Sequence, residues 1–438
     1  MEKILTLLKL GVSYLHRYRR RYGFLFSALV FCFAVVTFIT SSKDGMHENV
    51  YYSAQSHYAG DLVAVGYNKQ IEITHHISSD EISAILEAVK ESKINPSHIV
   101  FRTFYGNTGA VYFNGNAITQ KYIIGCDWEN EKHIFSKMSF SSPLEYPLSD
   151  DGIIISSPVA EQLNAKEGDI VILEIENTHS QKNTGTFIIK GIVQDNSIFG
   201  YFKAYISRVS LNRLLLFNDN DCSTIGFFFE NHSDAEEKRV RLYSLLKERM
   251  QTGPLVYDRE GMENEINKEW TEEGARIFLY TMQVYLSEIT NLMEAMDIMT
   301  YLLYGMMLVI ILVSAAVTYR LILHERAKEM GVMRSIGFSG SDLIAVLWTE
   351  VTILGFFSIA AGFILSVLFS AGASFISFSW FPSFDIFLKN GKLTAVYLPA
   401  TVIVNIILTI LVLGAAVILP SLRASKKNLP SLLSGEPL

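Results

Sequence analysis

Met299–Leu323 reads MTYLLYGMMLVIILVSAAVTYRLIL, a run whose one charged residue, Arg320, stands near its end. A hydrocarbon core of about 30 Å takes roughly 20 apolar residues in a helix, so this segment is long enough to cross a membrane. Outward from it lie three more such runs: Gly23–Ser41 (GFLFSALVFCFAVVTFITS), Leu343–Phe378 and Leu393–Leu419. The Leu343–Phe378 run is too long for one straight span, so its ends should lie outside the hydrocarbon. The first run follows a basic stretch, as a signal peptide would, but it exceeds the usual 7–15 apolar residues. No small-x-small cleavage site follows before Lys43, so it reads as an uncleaved anchor.

Composition agrees. Of 438 residues 50% are apolar and 18% charged, against about 25% charged in soluble domains. That composition excludes a disordered or fibrous chain, and the gathering of the apolar residues into runs argues against a soluble enzyme. The formal charge of −7 gives no footprint for nucleic acid. Three cysteines (Cys32, Cys126, Cys222) make neither a disulfide scaffold nor a four-ligand zinc site.

Basic residues flank the runs unequally. Lys3, Lys9, Arg17, Arg19, Arg20 and Arg21 precede the first; Arg320, Arg326, Lys328 and Arg334 follow the second; Arg423, Lys426 and Lys427 follow the fourth. The positive-inside rule makes these places cytoplasmic, with Lys389 and Lys392 the exception in an outer loop. The expected order is a cytoplasmic amphipathic helix over 1–22, spans over 23–41, 299–323, 343–378 and 393–419, a cytoplasmic segment over 324–342, an outer loop over 379–392 and a cytoplasmic tail over 420–438. Residues 42–298 fall outside and hold 22 Lys and Arg against 37 Asp and Glu, a net of −15.

The outside domain, 42–271, reads as mixed α and β. Asp61–Tyr67 and His98–Tyr105 read as strands around a helix opened by Ser78 and Glu81, a capping box, with Ile82, Ile85, Leu86 and Val89 on its apolar face. A second such unit reads as strand Thr224–Glu230, helix Ser233–Met250 and strand Leu255–Asp258. Between them Gly152–Ile155, Ile170–Glu176, Thr186–Val193 and Ala204–Ile206 read as strands, with a helix-like stretch at Pro158–Asn164. The fold class is therefore a four-span α-helical membrane protein with a large extracytoplasmic α+β domain, built from split βαβ units and a β-rich insert. Beyond about Asn264, Glu272, Glu273, Arg276, Glu288 and Glu294 mark a polar face and Ile277, Met282, Val284, Leu286, Ile289 and Leu292 an apolar one. A stalk helix over 272–298 running into the second span is expected.

Chemistry-bearing motifs are sparse. There is no G-x-x-x-x-G-K-[ST], no H-E-x-x-H and no G-x-S-x-G, so no catalytic site, cofactor or metal is assigned to this chain. Asp219, Asp221, Ser223 and Glu230 fall at calcium-loop positions, but Thr224 stands where the turn needs Gly, and an acidic surface turn accounts for them better. His75 and His76 would point to opposite faces of a strand. Asp127, Glu129 and Glu131 read as solvated carboxylates after a strand. Whether Cys126 and Cys222 form a bridge is open, and Cys32 reads as a packed small residue. Glu350, the one carboxylate of the third run, reads as structural or interfacial before it reads as a transport group.

The informative segment is Leu323–Leu343, LHERAKEMGVMRSIGFSGSDL. Glu325 and Glu329 alternate with Arg326, Lys328 and Arg334; Met330, Val332, Met333 and Ile336 supply apolar area; Ser339 or Ser341 can cap the next helix. Spacing alone would also suit a plain amphipathic connector. The segment resembles the E-R-x-x-E-[IM]-G-[IV]-x-R-[AS]-[IL]-G-[AF] signature of FtsX/MacB-type ABC permeases, matching at Glu325, Arg326, Glu329, Met330, Gly331, Val332, Arg334, Ser335, Ile336 and Gly337. The tail Leu419–Ser425 (LPSLRAS) and Asp151–Asp169 (DGIIISSPVAEQLNAKEGD) resemble further family segments, and the layout of one long domain before three spans matches too.

That resemblance implies a MacB-like periplasmic core, a non-catalytic permease, a partner cytoplasmic ATPase dimer that binds the ATP-Mg, a second permease copy or paralogue, membrane lipids and a periplasmic acceptor protein. It implies ATPase docking through Glu325, Arg326, Glu329, Met330, Met333, Arg334, Ile336 and Gly337, and transmission of motion by the second-span helix. Size and layout look most like the lipoprotein-releasing LolC/LolE permeases of the inner membrane. The alternative is an FtsX-like signalling subunit that controls a cell-wall enzyme or sensor.

Overall fold

A computed structural model describes residues 17, 19–69, 75–107, 109–194, 203–270, 274–378, 382–389 and 391–426. Most of the helix expected over 1–22, Glu272, Glu273, and the tail beyond Lys426 lie outside them. The chain divides into two compact units, one of Met1–His47, Met293–Ser377 and Lys392–Leu438, the other of Glu48–Leu292 and Phe378–Gly391.

The first unit is helical. Among the described residues four helices are long and apolar enough to cross a membrane: within Arg19–Tyr58, Ser287–Glu325, Gly340–Ala373 and Pro399–Lys426. They pack through rows spaced three and four apart, which place one stripe of each helix inward. Tyr22, Leu25, Leu29 and Cys32 of the first meet Ile311, Ala315, Tyr319 and Ile322 of the second, Val351 and Leu354 of the third, and Leu413, Ala416 and Val417 of the fourth. Asn405 Nδ2 donates to Thr40 Oγ1 at 2.9 Å, joining the fourth and first helices. The helix bounds differ from those of the apolar runs. The first helix continues past Ser41 to Tyr58, the third ends at Ala373 rather than Phe378, and the fourth starts at Pro399 rather than Leu393. Proline suits a first helical turn because its missing N–H has no helical partner there.

Among the described residues the second unit holds eleven strands: β1 Leu62–Tyr67, β2 His98–Tyr105, β3 Gly109–Phe113, β4 Asn116–Gln120, β5 Tyr122–Cys126, β6 Gly152–Ser156, β7 Ile170–Glu176, β8 Lys182–Val193, β9 Lys203–Ser207, β10 Thr224–Phe228 and β11 Arg276–Thr281. They form one sheet in the order β11-β1-β10-β2-β5-β9-β6-β8-β7-β3-β4. The first four make a split βαβ pair. Helix Ser79–Ser92 links β1 to β2, helix Ala235–Arg249 lies between β10 and β11, and β1 and β10 are antiparallel at the centre. Ser78 Oγ caps the first of these helices and Glu81 completes the box. Ile82, Ile85, Leu242 and Leu246 pack from the two helices onto Leu62, Ile225, Phe227 and Leu279.

The stalk expectation is corrected here. Residues 276–281 are β11, paired antiparallel with β1 from Leu62↔Thr281 to Tyr67↔Arg276, and the long helix begins only at Ser287. Leu255–Asp258 is no strand; β11 takes the place expected for it. RIFLYT is β-branched and aromatic and is buried on both faces, so it carries no period of two, and pairing decides its state.

Glu131 is corrected as well. It is fully buried rather than solvated, because β2–β5 pairing brings Arg102 of β2 to it: Arg102 Nη2 donates to Glu131 Oε2 at 2.6 Å.

Candidate partner-docking site

The second membrane helix stops at Glu325, Arg326 leaves the helix at φ −91, ψ 6, and a short helix Ala327–Ser335 follows. Gly337 sits at φ +103, in the region that favours glycine, and turns the chain toward the third membrane helix. Ser339 caps that helix: its Oγ accepts from Asp342 N at 3.2 Å, and Asp342 Oδ2 accepts from Ser339 N at 3.1 Å.

The short helix has two unlike faces. Ala327, Met330, Gly331 and Met333 are buried, and the two methionines pack with Leu323, Leu343, Val346 and Leu347. On the other side Val332 is 53% and Ile336 71% exposed. They continue the exposed row of Lys328 at i+4 spacing, beside exposed Glu325, Ser335 and Gly337. Met330 and Met333, read from sequence as outward anchors, therefore point into the chain. The turn after Ser335 brings the first turns of the third helix over that side, and Met330 and Met333 bury their apolar area there. Val332, absent from the docking set, belongs to the outward face.

Arg326 points inward too. Its Nη1 donates to Glu350 Oε1 at 3.0 Å and Oε2 at 2.8 Å, and Tyr22 Oη donates to Glu350 Oε2 at 2.5 Å. Glu329, half-buried, has Oε1 3.3 Å from Arg17 Nη2 and Oε2 3.9 Å from Arg326 Nε. Arg334 is half-buried. Glu350 thus sits in a buried charge cluster that joins the first helix, the break after the second, and the third. Taking two charges out of water costs several kcal/mol per ion, and only close, fully bonded geometry repays it.

The other sequence candidates disperse. Asp219 is exposed and pairs with Arg213, whereas Asp221 is buried and accepts from Ser79 N and Asn218 N. Thr224 opens β10, as its strand reading implies. Cys126 and Cys222 are free thiols buried in separate clusters. His76 Nε2 lies 3.0 Å from Asp221 Oδ2, while His75 packs on Tyr67 and Phe104. Burial pulls His75 down to about 4, below the ordinary value of about 6.5. The unfolded chain then takes up that proton first as pH falls. His75 accordingly withdraws up to about 3 kcal/mol of stability between about pH 6.5 and 4. His75→Leu should flatten that part of a plot of urea midpoint against pH; an unchanged slope would rule the residue out as its source.

Residues 301–429 match the family described as FtsX-like permease C-terminal. The matched stretch is 129 of the 438 residues. It holds nearly all of the second membrane helix, the short helix, the Arg326–Glu350 pair and the last two membrane helices, while Tyr22 comes from outside the matched residues. No curated protein sequence matches the chain significantly. Among solved structures, the extracellular domain of the noncanonic ABC-type transporter YknZ from Gram-positive bacteria is 12% identical, covering 49% of this chain and 98% of its own, at TM-score 0.29. The periplasmic region of MacB from Actinobacillus actinomycetemcomitans is 12% identical, covering 54% and 96%, at TM-score 0.32. A domain of a putative permease protein from Porphyromonas gingivalis is 13% identical, covering 50% and 86%, at TM-score 0.26.

Proposed function

We propose that the chain is the permease subunit of an ABC transporter. It works with a separate cytoplasmic ATPase dimer and a second permease copy or paralogue, and moves or extracts lipoprotein, lipid or another amphipathic compound from the outer leaflet of the inner membrane. The observation that carries this reading is the short helix Ala327–Ser335 in the FtsX-like domain. One face is fastened into the membrane unit and the other offers Val332 and Ile336 between charged neighbours. A docking element needs both: anchorage to pass on a push and apolar knobs to receive it. ATP and Mg belong to the partner, and the docking set becomes Glu325, Lys328, Val332, Ser335, Ile336 and Gly337, with Arg326, Met330 and Met333 behind it.

Co-expression with a candidate ATPase, purification through a tag on this chain and reconstitution into vesicles carrying a lipidated protein test the reading. ATP-dependent release of the lipidated protein is expected; a chain that retains no ATPase and releases nothing is not such a permease. Orientation follows the basic flanks, so a cysteine at Ser180 should react with an impermeant label from outside and one at Ser431 only after permeabilisation. A Ser431 label reactive in intact cells would invert the topology.

A further inference from the structure

Glu350 is the one carboxylate in the Leu343–Phe378 run, and it is wholly buried, with partners drawn from two other places in the chain. Arg326 supplies a guanidinium from the break between two helices, and Tyr22 supplies a hydroxyl from the first helix. The Tyr22 ring meets Tyr319 of the second helix edge-on, with centroids 6.2 Å apart. Arg326 itself lies directly before Ala327, so its side chain fixes the pivot from which the short helix departs. A well-packed apolar trio would hold such a site at least as firmly, and intramembrane charges are costly to keep. What charge and hydrogen-bond direction add is a restricted arrangement: Arg326 Nη1 donates to both oxygens of Glu350 while the Tyr22 hydroxyl donates to one of them, directions that methyl groups lack.

We infer that Glu350 and Arg326 are positioning residues for coupling: they lock the short helix to the first and third membrane helices, so that a push on Val332 and Ile336 moves those helices instead of swivelling the short helix on its pivot. This rests on the permease reading above. It assigns Arg326, part of the sequence signature, to the inside of the chain and not to the partner.

The test uses the full chain with its ATPase. Arg326→Met with Glu350→Met removes both charges together and leaves no lone buried ion. The double variant should insert, bind the ATPase at wild-type stoichiometry, and lose the permease-dependent change in ATP turnover about tenfold or more, within the usual range of coupling between sites. Spin labels at Phe24 and Ser335, both exposed, should give a sharp distance distribution in the wild type and a broad one in the variant at unchanged melting temperature. Should the double variant fail to accumulate, Glu350→Gln, which keeps the shape and one acceptor, carries the same measurements. Wild-type coupling together with an unbroadened distance would overturn the inference. If the wild-type chain binds no ATPase, the permease reading falls and takes this inference with it, a result that the wild-type control separates from the first.

Discussion

If the short helix docks the proposed ATPase, Val332→Asp combined with Ile336→Asp should remove that partner from the purified complex while the chain still reaches the membrane. Both side chains are exposed, and neither belongs to the cluster that buries Met330 and Met333. The substitutions therefore leave the internal packing intact and act on the outward face alone. Truncating an interface anchor costs about 2 kcal/mol or more, and a carboxylate in a desolvated contact adds to that. Two anchors together lose about 4 kcal/mol, or roughly a thousandfold in affinity. Met330→Asp with Met333→Asp is the poorer experiment, because charges placed among Leu323, Leu343, Val346 and Leu347 would unfold the segment whatever it docks. Ile170→Asp, on an exposed position of β7, serves as the control and should leave copurification unchanged. A complex of Val332→Asp/Ile336→Asp that forms at normal yield and still alters ATP turnover would reduce the short helix to a connector.

How much of this was legible in the sequence depends on whether the deciding contact is local. The four spans rest on composition over about 20 residues, and the helix at Ser79 on a box only three residues across. Ile170–Glu176 is rich in Ile and Val and alternates in sequence only at its end, Glu174-Ile175-Glu176, so composition marks the strand, and its burial alternates once it pairs. The hairpin of β3 and β4 was also readable: Asn114-Gly115 takes φ +46 and φ +83 between paired Phe113 and Asn116, and Asn-Gly is a strong two-residue hairpin signal. Its flanking strands are only five residues each, too short for a period of two to stand out. Arg276–Thr281 is a different case. It is buried on both faces, and the helical pattern after it blends into it, so nothing local separates strand from helix. The site divides in the same way. The signature singles out residues around 325–337, but which way Arg326 points depends on Glu350, 24 residues from it, and on Tyr22, 328 residues from Glu350.

Arg102→Met lowers the stability of the sheet unit by about 3–5 kcal/mol, the usual cost of breaking a buried ion pair from one side. Three losses coincide. Arg102 Nε and Nη2 donate to Glu131 at 3.0 and 2.6 Å, so removing the guanidinium leaves a lone carboxylate that burial already pushes above its ordinary range. Nη1 donates to Ser56 O at 2.7 Å and His57 O at 2.9 Å, the last carbonyls of helix Arg19–Tyr58, so the helix end loses its cap. The third loss is packing of the guanidinium stem at the centre of β2. Arg102→Met with Glu131→Leu separates these contributions. Without the lone charge the double variant should recover part of the loss, and the shortfall that remains measures the helix cap and packing together. Urea unfolding of the full chain in detergent, followed by hydrogen exchange at the β2 and β10 amides, reads both values. If Arg102→Met unfolds within about 1 kcal/mol of the wild type, the pair does not hold the helix end. The end of helix Arg19–Tyr58 would then owe its fixation to Asp61 instead, whose Oδ1 accepts from Tyr51 Oη at 2.7 Å and Gln55 Nε2 at 2.8 Å in the same last turns.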